Sequence, residues 1–97
     1  METNQPLLLI VDKLDIPVEQ NDTEEKLFSV ISEYLEHIIQ TDFNKLLSIL
    51  YRIDVPEEKV RKALANNKNQ SSGRVIAALL IEREQEKIKT RALYRTT

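Results

Sequence analysis

The sequence predicts an all-α fold, a compact bundle of four to five helices whose long C-terminal helix partly projects. Two observations carry this prediction. Apolar residues between positions 27 and 38 repeat at spacings of four, three and four, and no second strand-like segment exists that could pair with the first apolar block. The 97 residues suffice for one hydrophobic core. We therefore expect a single helical domain over residues 1–97, without an internal repeat.

The first predicted helix covers residues 6–15, with Asn4 as its N-cap. Residues 7–11 are uniformly apolar, so their periodicity leaves both helix and strand open. The lack of a partner strand favours a helix. The Ile16-Pro17 pair should end it, because a residue that precedes proline disfavours helical backbone angles.

The second predicted helix covers residues 23–40. Asp22 is its expected N-cap, and Glu25 three residues later completes a pattern typical of a capping box. One face of this helix is apolar and the opposite face is polar, which indicates an amphipathic helix at the surface of the core. The apolar stripe consists of Leu27, Ile31, Tyr34 and Ile38.

Two shorter helices should follow, over residues 42–53 and 56–66. Thr41 or Asp42 can cap the first of them, and Pro56 with the acids behind it is typical of the start of the second. The polar loop should span about residues 67–73. The apolar residues of the third helix are expected to face inward: Phe43, Leu46, Leu47, Leu50 and Ile53.

The last predicted helix covers residues 72–94 and changes character halfway. Residues 75–81 are apolar nearly all round, which predicts burial on several sides, whereas residues 82–95 are mostly charged. We therefore expect this helix to enter the core with one end and to leave it with the other. The all-round apolar segment also predicts a homodimer whose seam runs through this helix.

Composition excludes most kinds of enzyme chemistry. The chain has no cysteine, one histidine and one glycine. These counts exclude a disulfide scaffold, a thiolate metal site, a multi-histidine metal centre within one chain and a glycine-rich phosphate loop. Glu33 and His37 stand four residues apart, but a solvated side-chain pair explains that spacing as well as a metal site does. We predict a protein that is not an enzyme, with no catalytic residue, metal or cofactor.

Charge divides the chain into two unlike parts. Residues 1–58 carry 13 acidic and 4 basic side chains, whereas residues 59–97 carry 3 acidic and 10 basic ones. Opposite ends of one fold or of two subunits can complement each other in this way, and a basic surface can also bind an acidic partner or nucleic acid. The candidate interaction surface lies on the last helix and consists of Arg83, Lys87, Arg91, Tyr94 and Arg95.

Two classes of partner fit that surface. The leading function is a non-enzymatic protein–protein interaction or adaptor module, with an unknown protein or a second copy of the chain as partner. The alternative is a nucleic-acid-associated accessory protein that uses the basic helix. Glu82, Glu84 and Glu86 argue against this alternative because they can pair with Lys87 and Lys89, and so does a pI near 5.4.

The chain also resembles a family of proteins. Residues 50–60 (LYRIDVPEEKV) and 78–91 (ALLIEREQEKIKTR) are similar to a small conserved family of helical bacterial proteins with no established activity. The resemblance covers the C-terminal half; it implies a helical cytoplasmic protein and transfers no catalytic residue to this chain. The N-terminus has no basic export segment, and the longest apolar run has seven residues, so we expect a cytoplasmic protein that does not enter membranes.

Overall fold

A computed structural model describes residues 5–18 and 22–95, except for the side chains of residues 94 and 95. These segments contain five α-helices and no strand, which confirms the predicted all-α bundle. No helix of the described segments is long and apolar enough to cross a membrane. The helices are α1 (Gln5–Lys13), α2 (Glu24–Thr41), α3 (Phe43–Ile53), α4 (Glu57–Asn66) and α5 (Ser72–Arg95).

The apolar block at the start of the chain is helical, as predicted. Leu7, Ile10 and Val11 are buried on one side of α1, whereas Leu8 remains 44% exposed. The predicted N-cap of this helix, Asn4, lies outside the described residues. Helix α1 packs against both α2 and α5, and this packing buries the apolar block.

Side chains cap the starts of α2 and α3, and one of these caps differs from the prediction. The hydroxyl of Thr23, rather than the carboxylate of Asp22, accepts a hydrogen bond from the amide of Lys26 at the start of α2, at 3.1 Å. The carboxylate of Asp42 accepts from the amide of Lys45 at 3.2 Å and caps α3. Helix α5 begins at Ser72, so the polar loop spans 67–71 and is shorter than expected.

Helices α1 and α3 end in the same kind of turn. The amide of Ile16 donates to the carbonyl of Val11, and the amide of Val55 donates to the carbonyl of Leu50, each at 2.9 Å. The residue before each donor is an aspartate in the left-handed region, with φ of 57° at Asp15 and 72° at Asp54. Both turns are therefore Schellman-type C-caps in which aspartate occupies the place usually held by glycine.

The shared turn belongs to a repeat that the sequence analysis missed. Residues 7–17 (LLLIVDKLDIP) and 46–56 (LLSILYRIDVP) have the same residues at both leucines, the isoleucine, the aspartate and the proline. Each copy forms a short helix that ends in the turn. A long helix, α2 or α5, follows each copy, and α4 is present only after the second. The expectation of a chain without an internal repeat is therefore wrong.

The two aspartates should respond differently to replacement by glycine. A left-handed conformation costs a non-glycine residue about 1 kcal/mol, so Asp15→Gly should raise the free energy of unfolding by up to about that amount. Asp54→Gly gives the same backbone relief but removes an ion pair with Arg83, and we expect no net stabilisation. Urea unfolding followed by helical circular dichroism compares the two variants. A stabilisation of equal size in both would contradict the role assigned to the ion pair.

The centre of the bundle is the interface between α2 and α5. Leu27, Ile31 and Leu35 of α2 are fully buried there, together with Ile76 and Leu80 of α5. The burial predicted for residues 75–81 is confirmed at Val75, Ile76, Ala77 and Leu80, whereas Ala78 is exposed and Leu79 and Ile81 are half-buried. Because the chain's own helices cover the buried residues, their apolar character no longer calls for a second subunit. The homodimer stays a prediction.

Helix α3 departs from the prediction at its first residue. Leu46, Leu50 and Ile53 face inward as expected, but Leu47 is only half-buried and Phe43 is 53% exposed. The expected inward position of Phe43 is wrong. The apolar residues of α3 cover more of the helix circumference than the core can bury, so one edge of the stripe remains in solvent.

Candidate interaction surfaces

Arg83, the first residue of the predicted basic surface, is engaged within the molecule. Its Nε donates to the Asp54 carbonyl at 3.1 Å, and its two terminal nitrogens contact Asp54 Oδ2 at 2.9 Å and Glu86 Oε1 at 3.2 Å. The hydrogen bond with Asp54 raises the pKa of Arg83. This guanidinium joins α5 to the turn at the end of α3, and each of its three nitrogens has a partner within the fold.

Lys87, the next residue of that surface, is also turned toward the fold. Its Nζ lies 3.7 Å from Glu84 Oε2, so one of the pairings expected from sequence is confirmed. Burial lowers the pKa of Lys87. Arg91 is exposed on the last turns of α5, where every described side chain from position 89 to 93 faces solvent. Helix α5 extends to Arg95, and the contacts of Tyr94 and Arg95 lie outside the described residues.

A buried ionic cluster lies beneath these residues. Glu84 is 0% exposed, and its Oε2 accepts a hydrogen bond from Lys13 Nζ at 2.6 Å. Its Oε1 has no hydrogen-bond partner among the described residues. Burying a carboxylate is costly unless cations and donors compensate it. Lys13 and Lys87 supply that compensation and join the end of α1 to α5.

Sequence reasoning missed this cluster, although a signal existed. Ile76, Leu80 and Glu84 follow one another at four-residue spacing, so Glu84 continues the buried stripe of α5. Because Glu84 is charged, sequence reasoning placed it on the solvent-exposed face of α5 instead. A lysine at the end of α1 cannot be matched to a glutamate 71 positions later by local spacing.

An exposed apolar stripe runs along the outer face of α3. Phe43, Leu47 and Tyr51 stand four residues apart, and Tyr51 is 90% exposed. The stripe borders a groove of about 120 Å³ that extends between α3 and α4 down to Ile76 of α5. The apolar residues lining it are Ile39, Phe43, Leu46, Leu47, Leu50, Val60, Leu64 and Ile76.

The groove continues past the end of α3 into a second cavity, of about 310 Å³. Leu47, Leu50 and Glu57 line both cavities, so they form one surface, which we name the α3–α4 groove. Asp54 and Glu57 place carboxylates at the end nearest Tyr51, and Arg61 lies farther along α4. Within the fold, Arg83 pairs with Asp54 and Arg61 pairs with Glu57, so both carboxylates are compensated and the groove is apolar along its length.

The histidine does not belong to a metal centre in the described segments. Among residues 5–18 and 22–95, no three or more histidine, aspartate or glutamate side chains come together as ligands could. His37 and Glu33 are both exposed on α2.

Comparison with known proteins adds no relative. No protein-family model, curated protein or solved structure matches this chain. The assignment of a function therefore rests on the surfaces described above.

Proposed function

We propose that this protein is a non-enzymatic protein-interaction module of the cytoplasm, and that its docking surface is the α3–α4 groove. The observation that carries the proposal is the exposed stripe of Phe43, Leu47 and Tyr51 along the mouth of an apolar groove. Clustered apolar residues in solvent are unfavourable unless a partner covers them, and such patches mark interaction sites in soluble proteins.

The groove best fits an amphipathic helix of another protein. Helices dock into apolar grooves through apolar residues spaced at three and four positions, and the α3 stripe gives such a helix an apolar edge to pack along. Tyr51 and Phe43 are aromatic, and aromatic side chains commonly act as anchors at the centre of an interface.

The nucleic-acid alternative has less support. Two basic residues of the candidate interaction surface form ion pairs within the fold. Arg83 pairs with Asp54 and Glu86, and Lys87 pairs with Glu84. A phosphate-binding strip needs several free cations, because each contact with phosphate contributes separately to affinity. Among the basic residues of the candidate interaction surface whose side chains the structure describes, Arg83 and Lys87 are half-buried and only Arg91 is exposed.

Photo-crosslinking in the native cytosol tests the groove directly. A photoreactive phenylalanine analogue placed at Tyr51 should form a covalent adduct with the partner, because this side chain lies at the mouth of the groove. The same analogue at Gln85, which is exposed on α5, is the matched control and should give no such adduct. Mass spectrometry then locates the crosslinked segment of the partner.

The composition of that segment decides the outcome. We expect apolar residues at helical spacing, and a synthetic peptide of that segment should bind the purified protein. Adducts of equal yield and identity from positions 51 and 85 would overturn the proposal. A crosslink to a second copy of this chain would replace the proposed partner with a homodimer, and a crosslink to nucleic acid would restore the alternative.

A further inference from the structure

A cleft on the other side of α3, separate from the α3–α4 groove, has a different chemistry. It measures about 280 Å³ and lies where the end of α1 meets α2 and α3. Positions 45, 48, 49 and 52 of α3 share one helix face, and the end of α1 forms the opposite wall. The lining residues are Lys13, Leu14, Asp15, Tyr34, Lys45, Ser48, Ile49 and Arg52.

Contacts within the fold hold both α3 cations of this cleft in place. One terminal nitrogen of Arg52 donates to the carbonyl of Lys13 at 2.8 Å, which orients the guanidinium and leaves its other donors for a ligand. The Lys45 ammonium lies 5.6 Å from the centre of the Tyr34 ring. A hydrogen bond with Tyr34 raises the pKa of Lys45.

Positive charge exceeds negative charge among the residues that line the cleft, and Asp42, which lies outside this lining, also acts on Lys45. Asp15 contributes the one carboxylate among its lining residues. The Nζ of Lys13 is bound to the buried Glu84 and is therefore compensated. Lys45 and Arg52 together exceed Asp15 by one positive charge, and the Ser48 hydroxyl stands between them on the same helix face.

We propose that this cleft binds a small molecule through a phosphate or diphosphate group. The planar guanidinium of Arg52 suits two oxygens of one phosphate, and Lys45 supplies a point charge for a second anionic oxygen. The positions of Lys45 and Arg52 are seven residues apart, or roughly 10 Å along the helix, so their long side chains can reach the two phosphates of a diphosphate. The Ser48 hydroxyl donates a hydrogen bond between them.

This site is separate from the α3–α4 groove. The groove uses Phe43, Leu47 and Tyr51, whereas the cleft uses Lys45, Ser48 and Arg52 on a different face of the same helix. A variant of one set therefore leaves the other intact. The two proposals can fail independently.

Calorimetric titration with pyrophosphate, at low and physiological salt, tests the cleft. Lys45→Gln and Arg52→Gln should each weaken binding by about tenfold, since each removes a charge-assisted hydrogen bond. Asp15→Asn should tighten binding several-fold because it removes the carboxylate that lines the cleft. Lys68→Gln, an exposed lysine outside the cleft, is the matched control and should bind as the parent protein does.

Three results would overturn the proposal. The first is an absence of pyrophosphate binding at low salt by the folded parent protein. The second is an equal loss of affinity in Lys68→Gln and Lys45→Gln, which would indicate general attraction of the anion to a charged surface. The third is binding of RNA, but not of pyrophosphate, that depends on Lys45 and Arg52, which would assign these residues to a nucleic acid backbone.

Discussion

Replacement of Lys13 by methionine should lower the free energy of unfolding by about 2–4 kcal/mol. Lys13 gives the fully buried Glu84 its shortest ionic contact, 2.6 Å, and the second cation, Lys87, lies 3.7 Å away. Methionine keeps most of the length of the side chain and removes the charge, so the carboxylate loses its main compensation inside the bundle. The expected loss is below that of a fully buried ion pair because Lys13 is itself partly exposed. Urea unfolding followed by circular dichroism measures the change.

A double variant separates the charge from the packing. Lys13→Met combined with Glu84→Leu replaces the buried ion pair by apolar side chains, and such replacements are often neutral or stabilising. We expect the double variant to regain most of the stability lost in Lys13→Met. If the double variant is less stable than the single one, the carboxylate of Glu84 has a favourable role that this ionic cluster does not explain.

Replacement of Gly73 by alanine should destabilise the fold by about 2–3 kcal/mol, because a methyl group there overpacks the interface between α2 and α5. A Cβ at position 73 would collide with the backbone carbonyl of Ser32 and would press on the amide of Glu36 at 3.0 Å. The Gly73 amide also donates to Glu36 Oε1 at 2.7 Å, which fixes the close approach of the two helices. Thermal unfolding reports the effect as a fall in midpoint temperature.

The sign of this effect is itself diagnostic. In a helix without a close neighbour, glycine to alanine stabilises by about 1 kcal/mol through helix propensity. Glu36→Ala in the Gly73→Ala background should not restore stability, since the Ser32 carbonyl is backbone and stays in place. A stabilised Gly73→Ala protein would show that α2 and α5 lie farther apart at this point than described.

Local patterns in the sequence predicted most of the fold. The stripe of α2, the acids at the start of α4 and the unequal halves of α5 each act within a few residues, so spacing alone reveals them. For the two long helices, the residue pattern predicted the helical type correctly and the end positions to within one residue. Polar capping was harder, because Asp22 and Thr23 are both suitable residues and only the backbone geometry selects Thr23.

The features that define the candidate surfaces depend on long-range packing. The exposure of Phe43 follows from how far α4 covers α3, and the burial of Glu84 follows from a lysine that the fold brings from α1. Arg83 was expected on an open surface, yet a turn 29 positions earlier supplies its partner. The partners of Glu84 and Arg83 lie far away along the chain, so local spacing could not reveal them and sequence reasoning placed these residues in solvent.

The repeat provides the most direct test of the α3–α4 groove. Leu47 and Leu8 occupy the same position in the two copies, and both reach solvent, but only Leu47 borders α4. The measurement is the yield of the partner crosslink from position 51 in Leu47→Glu and in Leu8→Glu, with folding checked by circular dichroism. We expect Leu47→Glu to abolish the crosslink and Leu8→Glu to leave it unchanged. An equal yield in the two folded variants would contradict the assignment of the α3–α4 groove as the docking surface.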